Sequence, residues 1–262
     1  MRQRLALDEL LEQRLKLLLL RRAEARDSLP EGLGEYRHAA SHRLAAFDRQ
    51  REPVAAQIGF DRAIANTLNV ADGALGEIRS VHADMGVHFP VDHTSRLYDP
   101  ALGGGALLDL GVYAVWFAHL VLGVPENVVA WGLRTATGVD AQSVTVMRAG
   151  AAQGVVTTTL RSLTPTGASI TGSAARIDWD ARMPQPGGFT LVDTATREVL
   201  RFDDMTGIEL QHGMCRQAAW MARNVADGLL QSPRHPLGTS VEVLDIIDSA
   251  RRQLSDSPVV AD

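Results

Sequence analysis

Lysine is almost absent from this sequence. Of 26 basic residues only Lys16 is a lysine and the rest are arginines, so any chemistry that needs a lysine amine has one candidate. Cysteine is as scarce. The single Cys215 excludes an internal disulfide framework and fits a reducing compartment; it reads as a small buried side chain on a helix. Long apolar runs are missing near the N-terminus. The strongest, Leu17 to Leu20, lies between Lys16 and Arg21-Arg22. It falls short of the roughly 20 residues of a spanning helix and the roughly 7–15 of a signal peptide. The expectation is a cytoplasmic protein without a membrane partner. A strong basic patch is missing too. Residues 1–62 hold 12 Lys/Arg against 10 Asp/Glu, and residues 63–262 hold 14 against 21. A weak, interspersed net +2 does not argue for nucleic acid. Gly32-Leu33-Gly34 lacks the preceding strand and the third glycine that a dinucleotide-binding turn requires, since AEARDSLPE stands before it.

What is present is ordinary globular composition: 262 residues, 45% apolar and 22% charged. That is enough chain to bury a substantial core. Residues 2–26 are rich in Leu, Arg, Glu and Ala, and Leu5, Leu10, Leu11, Leu15 and Leu18 can share a helical stripe. Residues 27–54 lack clear periodicity, residues 55–71 look helical, and Asp72-Gly73 ends that helix. IRSVHADMGV, residues 78–87, alternates as a strand does. A loop with two prolines and Arg96 follows over 88–102, then an apolar helix over 106–122 stopped by Gly123 and Pro125. Seven short β-branched runs come next, at 128–134, 143–148, 154–160, 168–172, 176–179, 189–193 and 198–202. Strands in succession without intervening helices predict an antiparallel meander. Two helices close the chain. The first, 213–230, places Met214, Met221, Val225 and Leu229 at helical spacing; the second, 240–254, carries Val241, Leu244, Ile247 and Leu254. Both stripes read as core. The fold class is α+β, an open, mostly antiparallel sheet with helices packed on one face, preceded by a helical leader. A sheet with an uncovered face pairs readily with a second copy, which predicts a homodimer through the sheet.

The segment GGGALLDLGVYAVW, residues 103–116, concentrates the unusual features. Gly103–Gly105 permit close backbone approach at a helix start. Asp109 and Tyr113 are four residues apart, hence on one helix face among Leu107, Leu108, Leu110, Val112, Val115 and Phe117. They either satisfy backbone groups where helix meets sheet or face a cleft. A phenol exchanges protons with a substrate hydroxyl or carbonyl near neutral pH only when a neighbouring cation lowers its ordinary pKa of about 10. His82, His88, His93 and His212 have no metal-ligand spacing and no cysteine cluster beside them, so no metal is expected.

YDPALGGGALLDLGVYAVWFAHLVLGVPENV closely resembles the Gfo/Idh/MocA oxidoreductases, in the branch of dimeric dihydrodiol dehydrogenases and related sugar dehydrogenases. DGALGEIRSV, HTSRLYDP, TATGVDAQ, HGMCRQA and SPRHPLGTSVEVLD extend the resemblance over roughly residues 70–262. It implies a C-terminal domain that binds substrate and dimerises, with NAD or NADP as cofactor and a sugar, polyol or trans-dihydrodiol as substrate. It implies Tyr113 as acid/base and Asp109 as the group orienting substrate or tyrosine. Arg96, in the SRLYDP loop, and Arg134, at a strand end, are candidates to orient substrate oxygens, and Gly104 and Gly105 to border the substrate.

The sequence departs from that family before residue 70. Members carry a dinucleotide-binding domain with a glycine fingerprint and a Glu-Lys-Pro segment whose lysine acidifies the tyrosine. Here Arg51-Glu52-Pro53 lacks the lysine, and Lys16 sits in an unrelated context. The expected organisation is a helical or irregular leader over 1–69, compatible with an out-of-frame origin, and the substrate and dimerisation domain over 70–262. On this reading the chain as written is the substrate half of an NAD(P)-dependent oxidoreductase and does not work alone. The alternative is a catalytically silent binding or dimerisation module of the same descent.

Overall fold

The structure, a computed structural model, describes residues 74–179, 188–203, 214–233 and 235–260. The leader, the helix expected over 55–71, Lys16, Arg51-Glu52-Pro53, His212 and the Cys215 side chain lie outside what it describes.

Eight strands form one sheet. Strand β1 spans Ile78–Gly86, β2 Asn127–Arg134, β3 Asp140–Ala149, β4 Ala152–Thr159, β5 Ala168–Gly172, β6 Ala175–Trp179, β7 Phe189–Asp193 and β8 Val199–Phe202. Their spatial order is β2-β3-β4-β1-β5-β6-β7-β8. The predicted unbroken meander is therefore corrected. Strand β1 enters between β4 and β5, parallel to β4 and antiparallel to β5. The other neighbours pair antiparallel, as the tight connections between them require. Between β1 and β2 the chain crosses one face of the sheet as a π-helical turn, Leu107–Gly111, and helix α1, Val112–Leu122. Helices α2, Met214–Ala226, and α3, Leu237–Leu254, follow β8.

The two faces of the sheet differ in chemistry. One row across the register reads Met147, Gly154, Val81, Ile170, Ile177, Leu191 and Leu200. Every side chain in it is buried, on the face that α1 and α3 cover. Gly154 sits in this row because a Cβ would stand 2.9 Å from Leu122 of α1. Burying such rows is the main favourable term in holding the layers together. Phe117 of α1 meets Trp179 edge-on at 5.9 Å, and Trp179 stacks on Phe189 at 5.8 Å. The alternate residues form the other face, where Val129, Trp131, Val144, Val146 and Val155 adjoin the polar row His82, Ser169, Asp178 and Thr190. Trp131 there is 61% exposed.

Polar contacts join the helices. Trp116 Nε1 donates to His235 Nδ1 at 3.2 Å, which leaves the ring hydrogen on Nε2, 2.9 Å from Ser240 Oγ. His119 Nε2 meets Glu242 at 2.8 Å. The segment Pro100–Leu122 is long and apolar enough by composition to cross a bilayer, but Ala106, Leu107, Ala114, Val115, Phe117 and Ala118 are buried beneath the sheet, as in a core helix.

Both helical stripes read as core need correction. Met221, Val225 and Leu229 are exposed, as are Val241 and Leu244. The buried stripe of α3 is Val243, Ile246, Ile247, Ala250 and Leu254, so only Ile247 and Leu254 of the predicted set face the core. Apolar spacing identified the helices but not which apolar side met the sheet.

Candidate active site

The site is assembled from two capped turns and a glycine crossing. Ser95 Oγ accepts from the N–H of Leu97 at 3.4 Å and starts a short 3-10 turn, Arg96–Tyr98. Asp99 Oδ1 accepts from Ala101 N–H at 2.8 Å and starts a second, Pro100–Leu102. Serine and aspartate suit these places because their short side chains reach back to the orphan N–H groups. Buried Tyr98 anchors the loop by donating its hydroxyl to Phe89 O at 3.2 Å.

The chain then passes beneath that loop. Gly104 N–H donates to Asp99 O and Gly105 N–H to Leu97 O, both at 2.9 Å. A Cβ on Gly104 would stand 2.6 Å from Leu97 O and 2.7 Å from Arg96 O, so only glycine fits. Gly105 has φ +111°, and a Cβ there would collide with Oδ1 of Asp140. These contacts give the glycines a task inside the chain: they let the Arg96 loop close on the helix start.

The segment after Gly105 begins as a π-turn, not the α-helix expected over 106–122. Such turns are rare and collect at functional sites. Asp109 lies within it, its N–H donating to Gly105 O at 3.2 Å. Its Oδ1 meets Arg96 Nη2 at 2.7 Å, with the Asp109 side chain 16% exposed and that of Arg96 64% exposed. One turn later Tyr113, in the first turn of α1, stands 42% exposed. The structure thus brings Arg96 and Asp109 together and leaves the phenol of Tyr113 accessible.

Arg134 is committed elsewhere. It ends β2, and its Nε donates to Ser257 O at 3.1 Å while its N–H donates to Pro258 O. The chain segment after α3 holds it. Of the histidines considered as ligands, His88 Nδ1 lies 3.0 Å from Arg161 O and His93 packs edge-on against Tyr98. Among the described residues no three His, Cys, Asp or Glu side chains gather as a metal site.

The residue that sequence reasoning missed is Asp140. Its Oδ2 accepts from Leu107 N–H at 2.7 Å, so it caps the helical segment from the start of β3. Burial pushes its carboxyl up to about 6; the N–H groups of Leu107, Asp140 itself and Ala106, together with Arg251, pull the other way without overcoming burial. The signal was available in TATGVDAQ, where one acid interrupts the apolar start of a strand.

The same contacts test the cofactor. A dinucleotide pyrophosphate needs free N–H groups at a glycine turn. Here the N–H groups of Gly103, Gly104 and Gly105 donate to Pro100, Asp99 and Leu97, and the anionic position before Leu107 is filled by Asp140. This glycine run does not fit a dinucleotide. Hollows of about 410 and 440 Å3 open on the sheet face opposite α1 and α3, the first bordered by His82, Asp84, Ser169 and Asp178, the second by Trp131, Gln142 and Thr157; neither includes Asp109 or Tyr113.

Residues 69–178 match the model of the GFO/IDH/MocA C-terminal domain. The trans-1,2-dihydrobenzene-1,2-diol dehydrogenase of Danio rerio is 32% identical over 195 residues, which cover 71% of this chain and 56% of that enzyme. The enzyme of the same name from Xenopus tropicalis is 30% identical over 191 residues, covering 69% and 56%. The chain thus spans little more than half the length of these relatives. Two solved structures share the fold. Levoglucosan dehydrogenase, in complex with NADH and levoglucosan, has a TM-score of 0.62 at 18% identity, covering 74% of this chain and 62% of its own. The aldose-aldose oxidoreductase of Caulobacter crescentus, complexed with glycerol, has 0.61 at 18%, covering 76% and 60%. A sheet and helix start of this kind, with matches across sequence and structure, place the chain in the GFO/IDH/MocA family through its C-terminal domain.

Proposed function

We propose that the surface bearing Asp109 and Tyr113 is the substrate side of an NAD(P)-dependent oxidoreductase that acts on a CH–OH group of a sugar, polyol or trans-dihydrodiol. The observation that carries this reading is the Arg96–Asp109 pair, one turn before an accessible phenol. Asp109 keeps an acceptor oxygen for a substrate hydroxyl, and the exposed guanidinium of Arg96 keeps donors for a second oxygen. The Tyr113 hydroxyl both donates and accepts, which suits it to hold the proton of the reacting hydroxyl. Relatives named for dihydrodiol oxidation, and fold neighbours solved with NADH or NADP, support the choice of substrate class and cofactor. The glycine run does not supply the dinucleotide site, so cofactor binding rests on residues other than these.

The test is titration of the chain with levoglucosan and with trans-1,2-dihydrobenzene-1,2-diol, followed by calorimetry. Binding that weakens in Asp109→Asn and Tyr113→Phe is expected. Equal binding in both variants removes the surface from the proposal.

A second reading, a silent binding and dimerisation module, is favoured by the glycine N–H groups being already engaged and by the half-apolar open sheet face. On this reading the partner is a second copy, paired through Val129, Trp131, Val144, Val146 and Val155. NADH titration followed by nicotinamide fluorescence separates the two. Absence of binding at millimolar NADH ends the claim of a self-sufficient dehydrogenase and leaves the module.

A further inference from the structure

We propose that Asp140 is a positioning residue for the Asp109–Tyr113 face, its carboxylate fixing the helical segment in the register that lets Asp109 meet Arg96. The inference rests on the reading of that face as the substrate side.

Asp140 is held by the sheet rather than by a loop. It begins β3 and stands opposite Arg134 of β2, whose main chain is itself tied to Pro258 and Val260. A functional side chain is placed best when its support is rigid in this way. From there its Oδ2 takes the Leu107 N–H at 2.7 Å, while its Oδ1 stands where a Cβ of Gly105 would be. Gly105 O takes the Asp109 N–H, and Gly105 N–H reaches Leu97 O, next to Arg96. Arg96 returns to Asp109 at 2.7 Å. The contacts close into a ring with Asp140 as its fixed point.

Two physical arguments say why an acid stands there. The amino end of a helical segment attracts an anion, and among the described residues this segment has no side-chain cap of its own at Ala106. A π-turn has an α-helical competitor of similar hydrogen bonding, and passing to it would turn Asp109 relative to the Arg96 loop. A charge-assisted bond to Leu107 N–H and contact with Gly105 select the observed register. A neutral asparagine would cap with less burial penalty, so the carboxylate points to a task beyond capping.

The experiment uses the full chain labelled with carbon-13 and nitrogen-15, with variants Asp140→Ala, Asp140→Asn and Asp109→Asn. The readout is the guanidinium signal of Arg96, which is slowed and resolved while it pairs with Asp109. Asp140→Ala is expected to lose that signal, as Asp109→Asn does, with the amide signals of β4, and of β2 and β3 away from residues 134 and 140, unchanged. Asp140→Asn, which keeps an acceptor for Leu107, is expected to restore it in part. An unchanged Arg96 signal in Asp140→Ala overturns the proposal. Should that variant not fold, Asp140→Ser, too short to reach Leu107, takes its place with the same two outcomes. Levoglucosan affinity provides the second readout. Asp140→Ala is expected to weaken it about tenfold, as for loss of one charge-assisted contact, but not when Asp109→Asn is already present. Failure of the unmodified chain to bind levoglucosan or the dihydrodiol counts against the substrate reading alone, because the Arg96 signal still decides the role of Asp140.

Discussion

Asp140→Asn should change how stability depends on pH, and the size of the change follows from the site. The Asp140 carboxyl, buried beside Gly105, is raised from an ordinary 3.8 to about 6. In the unfolded chain it ionises near 3.8, so below that value both states hold the proton and the group has no pH-dependent effect. Between 3.8 and about 6 the folded state keeps a proton that the unfolded state has lost, and stability falls as pH rises. Above about 6 both states are ionised and the loss is complete, at roughly 3 kcal/mol. Asparagine carries no such proton. The check is urea denaturation of both proteins from pH 4 to pH 8, with the difference in unfolding free energy plotted against pH. Other titrating groups are shared and cancel, so any constant offset from the substitution is irrelevant and only the slope matters. The variant should gain on the parent by roughly 3 kcal/mol across that window. A flat difference would refute the claim that Asp140 is a buried acid ionised against the preference of its surroundings.

Three further outcomes follow from the same geometry. Gly104→Ala forces a methyl against Leu97 O and Arg96 O and should destabilise by about 1–3 kcal/mol, measured by denaturation. Arg96→Ala removes a pair whose guanidinium is exposed but whose Asp109 carboxylate is largely buried, so on the proposed substrate reading stability should fall by about 1 kcal/mol while levoglucosan affinity drops; a large stability loss with unchanged affinity contradicts the assigned role. On the reading of the chain as a module that pairs with a second copy, Trp131→Glu places a charge in the proposed contact face and should lower the sedimentation coefficient from dimer to monomer without loss of fold, since Trp131 is 61% exposed; a parent chain that already sediments as a monomer refutes the pairing.

Strand alternation made most of the sheet legible. The runs at 168–172 and 189–193 coincide with β5 and β7 because period-two burial is a local property of extended chain. The place of β1 was not legible, because a parallel partner seventy residues away leaves no mark on local periodicity. Helix orientation failed for a related reason. Met221 and Val225 are apolar at the right spacing, yet spacing does not say what lies opposite. At the candidate site the resemblance singled out Asp109 and Tyr113, and the meeting of Arg96 with Asp109 was not legible. Asp140 was overlooked because its task is defined by a backbone N–H thirty-three residues earlier, which no motif records. The glycines were noticed as permissive, but what they permit is contact with Leu97, Arg96 and Asp140.

The insertion of β1 between β4 and β5 has a consequence for how the molecule assembles. Strands β2 to β4 and β5 to β8 are two local sets of hairpins, each able to form with short loop closures. Among the described residues neither set is bonded to the other, and the strand that precedes both in the chain is the seam between them. That seam joins partners more than seventy residues apart in sequence, so it raises the contact order of the whole sheet. Its arrival also fixes the floor beneath α1, which packs on β1 and β4. The surface that carries Tyr113 therefore rests on the most sequence-distant pairings of the sheet, and a permuted chain that begins at β2 and ends with β1 would have to close the same seam from its other end.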